Sequence, residues 1–354
     1  MKKNWQKIKE TPSLAERFLM REKVIDAVRL FFKGQAFHEV ETPLLASCPG
    51  AEPYLNLFET SLELPDGQKK QAYLLTSPEY SMKKLLAAGL GNIFQICKTF
   101  RNRESLGGKH NPEFTILEFY RANANYLDVM SDFEAMMLFI CHALALDVKK
   151  VAYQGRTFDL TSPYLKFSVA ELFEKYLHLN ADQLLNLEFL RQKARSLGYD
   201  ISGLESLSAD LAWEELYNQL FLNEIESKLA AFNKPVIVYD YPTPQAALAR
   251  KKASDPRFAE RFEVYLAGME LGNAFGELID PKEQKKRLEA DMLLRKELGK
   301  KDHKIDQDFL TALEFGLPES SGMAVGIDRL IMLFADVSNI DQILFFPASE
   351  AFLD

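Results

Sequence analysis

Apolar residues recur at helical spacing between Leu14 and Lys33, where Val24, Ile25, Val28, Phe31 and Phe32 fall on one face. This periodicity predicts an amphipathic helix that stops near Gly34. Phe37–Pro43 then reads as a strand closed by proline. Tyr73–Thr76 and Ile93–Arg101 have the pattern of short buried strands. Between them, Pro78–Ala88 reads as a helix opening behind the capping pair Thr76-Ser77. Phe114–Tyr120 is predicted to pair back as the second arm of a hairpin, and Asp128–Leu146 to be helical. Residues 168–234 are rich in Leu, Glu and Lys at helical spacing and hold no chemical cluster, so they read as a helical insertion within a single catalytic domain. Strands are expected at Pro235–Tyr241 and Arg261–Ala267, an exposed charged helix at Pro281–Leu298, and a strand at Gly322–Val325 running into a helix at Ile327–Phe334. Regular βαβ alternation is absent. The pattern is α+β, with hairpins building an antiparallel sheet flanked by helices.

Composition sets bounds without choosing a function. The chain has 354 residues, 47% hydrophobic and 27% charged, which is ordinary for a globular protein. A formal net charge of −8 argues against a broad nucleic-acid-binding face, because phosphates are neutralised by clustered Lys and Arg. Cys48, Cys97 and Cys141 lack metal-ligand spacing and suit a reducing compartment as small buried hydrophobes. No stretch resembles a signal peptide or reaches the ~18 apolar residues of a membrane span, so a cytoplasmic protein with no membrane partner is expected.

Four segments carry chemistry. Phe100–Phe114 places Arg101, Asn102, Arg103, Glu104 and Asn111 around a turn containing Gly107-Gly108, followed by Phe114. Alone it would read as a solvated hairpin tip. A guanidinium can fork onto phosphate oxygens, however, while a carboxylate and an aromatic ring can hold a purine base. Ser77-Pro78-Glu79 puts a carboxylate at a strand-to-helix turn, where simple helix capping is the competing explanation. Glu270-Leu271-Gly272-Asn273-Ala274-Phe275-Gly276-Glu277 sets two carboxylates seven residues apart in an apolar stretch. On a regular strand they would face opposite ways, so a bulge or turn at Gly272 is needed to bring them together. Buried carboxylates require cations, and Mg²⁺ on ATP or a substrate ammonium would serve. Finally, Gly322–Leu330 offers Gly326, where a backbone can approach a ligand closely, and Arg329 in the first turn of a helix, a favourable place for phosphate.

Together these segments resemble the class II aminoacyl-tRNA synthetases over most of the chain outside the insertion. Glu39-Val40-Glu41-Thr42-Pro43 is similar to motif 1, Phe100–Tyr120 to motif 2 and Gly322–Leu333 to motif 3. His110-Asn111-Pro112-Glu113-Phe114 and the Glu270–Leu278 segment are of the lysyl type. Motif 1 starts too early to leave room for the anticodon-binding domain of lysyl-tRNA synthetases. The chain therefore resembles the elongation factor P–(R)-β-lysine ligases, as do Val238-Tyr239-Asp240-Tyr241-Pro242 and Ala259–Tyr265. Ala324, where lysyl-tRNA synthetases usually carry glycine, would reshape the amino-acid pocket.

The resemblance implies ATP-dependent activation of β-lysine and its transfer to a lysine of elongation factor P by a homodimer that binds no tRNA anticodon. It implies Arg101 on the α-phosphate and Arg329 on the γ-phosphate as catalytic residues, with Phe114, Asn102, Asn111, Leu271 and Gly326 also at the nucleotide. Glu270 and Glu277 would hold Mg²⁺, and Ser77, Pro78, Glu79, Tyr120, Glu277 and Ala324 the amino acid. One departure stands out: the position two residues after Arg101 is Arg103, and the glutamate is Glu104. The adenine contact is left between the Glu104 side chain and the Arg103 backbone. Gly107-Gly108 makes the loop roomier, as a protein acceptor would require. The alternatives are a lysyl-tRNA synthetase-like ligase using α-lysine or another acceptor, and a non-catalytic regulatory paralogue, against which the two arginines count.

Overall fold

The predicted strands assemble into one eight-stranded sheet in the computed structural model, which describes residues 2–50, 52–301 and 303–353. Across the sheet the strands run His38–Glu39, Ile93–Phe100, Glu113–Ala122, Ser320–Gly326, Met269–Gly276, Phe258–Leu266, Val236–Pro242 and Leu165–Ser168. The six central strands pair antiparallel, and a short parallel strand closes each edge. A three-stranded sheet of Leu45–Ala46, Lys69–Leu74 and Phe58–Glu63 stands beside it.

The period of two along the strands separates the faces. On Glu113–Ala122, Leu117 and Phe119 enter the main hydrophobic core, whereas Phe114, Ile116, Glu118 and Tyr120 line a cavity on the other side. Helices Ala15–Gly34, Tyr126–Ala143 and Ile327–Phe334 cover the core face. Phe32 is the hub there, its ring 5.1 Å from those of Phe37 and Phe94 and 4.7 Å from that of Phe119. Truncating such an aromatic to alanine costs about 3–5 kcal/mol.

On the cavity face, residues 168–234 form Val169–Leu177, Leu187–Ser196, Ala209–Leu220 and shorter turns, packed in a core of their own against Val236, Val238, Tyr241 and Phe258. Opposite them, Glu79–Ala87, Pro281–Glu297 and Gln307–Gly316 surround a smaller core that includes Met82, Leu288 and Phe309.

Several expectations need adjustment. Of Phe37–Pro43, only His38–Glu39 joins the sheet. The first long helix includes Gly34 as its last residue, and the left-handed turn falls on Ala36 (φ 59°). Pro281–Glu297 is not wholly exposed, since Gln284, Leu288, Met292 and Arg295 are buried. Among the described residues, no helix is long and apolar enough to cross a membrane.

Candidate functional site

One elongated cavity lies on the open face of the central strands, with a cationic end and an acidic end. At the cationic end stands Arg101, one residue beyond the strand that delivers it. Its backbone N–H donates to Pro112 O, closing the hairpin at 2.9 Å. Its guanidinium lies 5.2 Å from the Phe114 ring centroid, and its buried Nε has no hydrogen-bond partner. A buried guanidinium nitrogen without an acceptor is costly, and a phosphate oxygen would satisfy it. Arg329, in the first turn of Ile327–Phe334, donates from Nη1 to Glu270 O at 2.6 Å and lies 3.4 Å from Glu270 Oε2. The helix is positioned by Asp328, which accepts the Thr115 N–H at 2.6 Å and pairs with Arg21 of the first long helix. This buried bracket ties three elements beneath the cavity.

The loop between Arg101 and His110 is braced. Gly107 and His110 exchange backbone hydrogen bonds of 3.2 Å, and Gly108 O accepts the Ile340 N–H at 2.7 Å. Both glycines have positive φ, and a Cβ on Gly107 would lie 3.3 Å from Asp341 Oδ2. The extra residues thus make a tip pinned to the C-terminal segment. Glu104 faces the cavity with its Oε2 3.1 Å from His110 Nδ1. Burial and Arg329 hold the His110 pKa below the ordinary histidine value, so this ring is mainly neutral at pH 7.

Between the two ends, the Met269–Gly276 strand carries the bulge that its two glutamates require. Tyr265 pairs with Glu270 and Val264 with Gly272, leaving Leu271 as an extra residue. The shift restores Glu270, Asn273, Phe275 and Glu277 to the cavity side. Gly272 is needed beside it, because a Cβ there would lie 2.7 Å from Ala324 O.

At the acidic end, Lys83 is 1% exposed, with Nζ 2.5 Å from both Glu79 Oε1 and Glu277 Oε2. Tyr120 donates to Glu118 Oε1 at 2.5 Å, and Ser77 donates to Glu118 Oε2 at 2.7 Å. Burial and the repulsion of Glu79 push Glu118 up to about 8. Burial likewise raises Glu277 to about 7, against the opposing pull of Lys83. Burial alone would lower Lys83, but Glu277 and Glu79 hold it above the usual lysine range, so it stays charged. Three carboxylates therefore face one protein cation. That imbalance fits a ligand with ammonium groups.

Most of the residues singled out from sequence line this cavity: Ser77, Glu79, Arg101, Glu104, Asn111, Phe114, Tyr120, Glu270, Leu271, Glu277, Ala324, Gly326 and Arg329. Pro78, Asn102 and Arg103 do not. Pro78 is buried at the start of its helix, the Asn102 amide donates to Leu57 O at 3.3 Å, and Arg103 is exposed in a left-handed conformation. Asn111 reaches the lining, but its side chain donates to Glu113 O and accepts the Ala348 N–H at 2.9 Å. These bonds fix the amide's orientation and leave one N–H and one oxygen lone pair for a nucleotide contact. Gly326 meets only Arg329 carbons, at 3.6–3.7 Å from a notional Cβ, so the protein itself does not demand glycine at this position.

The expected metal pair also separates. Glu277 is closed by Lys83, while Glu270 keeps a partly exposed carboxylate beside Arg329. Among the described residues, no group of three or more His, Cys, Asp or Glu side chains is arranged to hold a metal ion. A cation that takes most of its ligands from phosphate oxygens and water fits Glu270, and Glu277 does not fit that role. Sequence reasoning missed Lys83, Glu118 and the Arg21–Asp328 bracket. The signals were available: Lys83 is one helical turn after Glu79, and Glu118 alternates with Ile116 and Tyr120.

Comparison with known proteins places these features in context. The family described as tRNA synthetases class II (D, K and N) matches residues 1–350. The lysine–tRNA ligase of Moorella thermoacetica is 37% identical over 340 residues, 95% of this chain and 66% of that one. The elongation factor P–(R)-beta-lysine ligase of Histophilus somni is 41% identical over 333 residues, 94% of each chain. That of Avibacterium paragallinarum is 38% identical over 347 residues, 97% of this chain and 98% of its own. The chain thus spans about two thirds of the length of the first relative and nearly all of the other two.

Proposed function

Because the chain belongs to the class II tRNA synthetase family (D, K and N), we propose that it activates (R)-β-lysine with ATP and transfers it to a lysine of elongation factor P. The observation that carries this reading is the polarity of one cavity. A guanidinium whose buried Nε lacks a hydrogen-bond partner waits at one end, and a carboxylate cluster deficient in cations waits at the other. A diamino acid lying along it directs its ammonium groups to Glu79, Glu118 and Glu277 and its carboxylate toward Arg101. The choice of acceptor follows the relatives at 38–41% identity that carry that name and match over nearly the whole of both chains.

In this reading a substrate carboxylate oxygen attacks the α-phosphorus of ATP and pyrophosphate leaves. Arg101 binds the α-phosphate and stabilises the charge that develops there. Arg329 meets the γ-phosphate and closes one side of the base, with Phe114 on the other. Glu104 takes the adenine contact, since it faces the cavity and Arg103 does not. Glu270 would hold Mg²⁺ arriving with the phosphates, and the ion would supply Lewis-acid polarisation there. The acceptor amine then attacks the acyl carbonyl, the C–O bond to AMP breaks, and one proton is released. No residue forms a covalent intermediate. Rate comes from alignment and preorganised charge. Ala324 turns its methyl group toward the amino acid between Asn273 and Glu118, and so contributes to the choice of a β-amino acid.

The test is pyrophosphate exchange with (R)-β-lysine, (S)-β-lysine and α-lysine, then the mass of elongation factor P after incubation with enzyme and ATP. Preferred exchange with (R)-β-lysine and the corresponding mass gain support the reading. Preference for α-lysine with an unmodified acceptor refutes it. A homodimer formed through the His38–Glu39 edge belongs to the same proposal, and a monomer by light scattering at micromolar concentration would remove it.

A further inference from the structure

We propose that Lys83 is a built-in ammonium group that sets the cation count of the amino-acid end, so that this end accepts two substrate ammonium groups. This rests on the proposed activation of a diamino acid and adds the residue that makes the count come out at two.

Lysine is almost never fully buried unless it is paired. A lysine with a purely structural role needs one carboxylate, and Glu79, one helical turn before it, would suffice. Lys83 reaches past that partner to a second carboxylate from another element, Glu277, with both distances at 2.5 Å. Both carboxylates line the cavity. The amine therefore sits behind the binding surface, holding two of its acceptors from the protein side, with the Tyr120 ring centroid 6.0 Å away.

Other charges near the cluster are committed elsewhere. Arg250, whose field reaches Glu277, pairs with Glu260 at 2.7 Å and Glu319 at 3.6 Å. Glu52 also lines the cavity and feels Glu79, but burial raises its pKa against the pull of Arg101, so it favours the neutral form, and it accepts from Thr76 at 3.0 Å. What remains is Glu79, Glu118 and Glu277 against Lys83, a deficit of two positive charges when all three are ionised. A diamino acid supplies two. A mono-ammonium acid leaves a buried carboxylate uncompensated, which must then take up a proton. Without Lys83 even the diamino acid falls one charge short. Glu79 and Glu277 then repel, and a proton turns one acceptor into a donor that faces an ammonium. Lys83 is thus a positioning residue, acting on substrate through the two carboxylates.

The experiment compares wild type, K83M and K83A by pyrophosphate exchange, after a cooperative thermal melt shows that each is folded. Wild type must first exchange with (R)-β-lysine or α-lysine. If it exchanges with neither, the functional reading has failed, and the outcome is distinct from failure of the inference. K83M keeps the side-chain volume without the charge. Its KM for the diamino acid should rise about 10- to 100-fold, less than the full cost of a buried charge without its partner because a proton can neutralise one carboxylate, with kcat within about fivefold because the reacting end is intact. K83A leaves a cavity of the size of a propyl amine, and propylammonium should restore exchange saturably. It should do so neither in wild type, where the site is filled, nor in K83M. An unchanged KM in K83M, a loss confined to kcat, or a K83A defect that propylammonium does not relieve would each overturn the proposal.

Discussion

Substrate binding at the acidic end should release protons, and the amount follows from two buried carboxylates. Glu118 titrates at about 8 and Glu277 at about 7 in the ligand-free protein. At pH 7 the first is about nine-tenths protonated and the second about half, together about 1.4 protons, although the two titrate as a coupled set. An arriving ammonium favours the ionised carboxylate, so binding lowers both pKa values and expels these protons. The sign is therefore fixed: affinity rises with pH, and KM falls. If both groups are fully ionised in the complex, apparent affinity grows by roughly two to three orders of magnitude between pH 6 and pH 8. The assay is titration calorimetry of the amino acid, without ATP, at pH 7 in phosphate and in Tris. These buffers differ widely in ionisation enthalpy, so the slope of observed heat against that enthalpy counts protons. About one proton released is expected. A slope near zero, or net uptake, would refute the claim that these carboxyls carry protons in the empty site.

Three further outcomes follow from the same geometry. E118Q should lose amino-acid exchange yet gain stability at alkaline pH: an acid whose folded pKa is raised stabilises fully below about 4.5 and loses that contribution as pH climbs to about 8. The expected gain over wild type is at least about 2 kcal/mol at pH 9, read by denaturant melts at pH 5 and pH 9, and no difference between the two pH values would contradict it. R101A should reduce adenylate formation by about 100- to 1,000-fold and weaken calorimetric binding of the amino acid by much less, because the ammonium-binding carboxylates remain, and R101K should recover only part of the loss because the planar fork is missing. In G322A the new Cβ would lie 2.3 Å from the Tyr120 ring, displacing its hydroxyl from Glu118; KM for the amino acid should rise while KM for ATP stays within about twofold, at a stability cost of about 1–3 kcal/mol.

Much of this arrangement was legible in the sequence, for identifiable physical reasons. Strand alternation and helix periodicity are local signals, and Ile327–Phe334 appears with the expected bounds. The need for a bulge near Gly272 followed from parity alone, and it is present at the neighbouring residue. Features that depend on which side chain a distant element presents were not legible. Lys83 reads as a routine helix lysine until Glu277, 194 positions later, arrives beside it. Asn111 has the right identity for a ligand contact, but its amide is held by Glu113 and Ala348. Glycines beside charged residues suggested a loose loop, whereas backbone bonds to Ile340 brace it. Such choices depend on long-range hydrogen bonding, for which local sequence carries no marker.

The extra residue at Leu271 acts as a phase shift in a binary code. Along a strand each position belongs to one face or the other, and a one-residue insertion inverts the assignment of everything after it. Deleting Leu271 would leave Glu270 and Glu277 six residues apart, an even spacing that keeps both on the cavity side without a bulge, whereas inserting one residue directly after Asn273 would rotate Glu277 toward the side occupied by Phe262, Val264 and Met323. Meanwhile Ala274 would turn toward the ligand. The two ends of the cavity are therefore linked by a count rather than by a contact. Point substitutions can retune either end separately, but an odd spacing between Glu270 and Glu277 without a compensating bulge puts the two on opposite faces. Along this strand the chain can vary its letters more freely than its length.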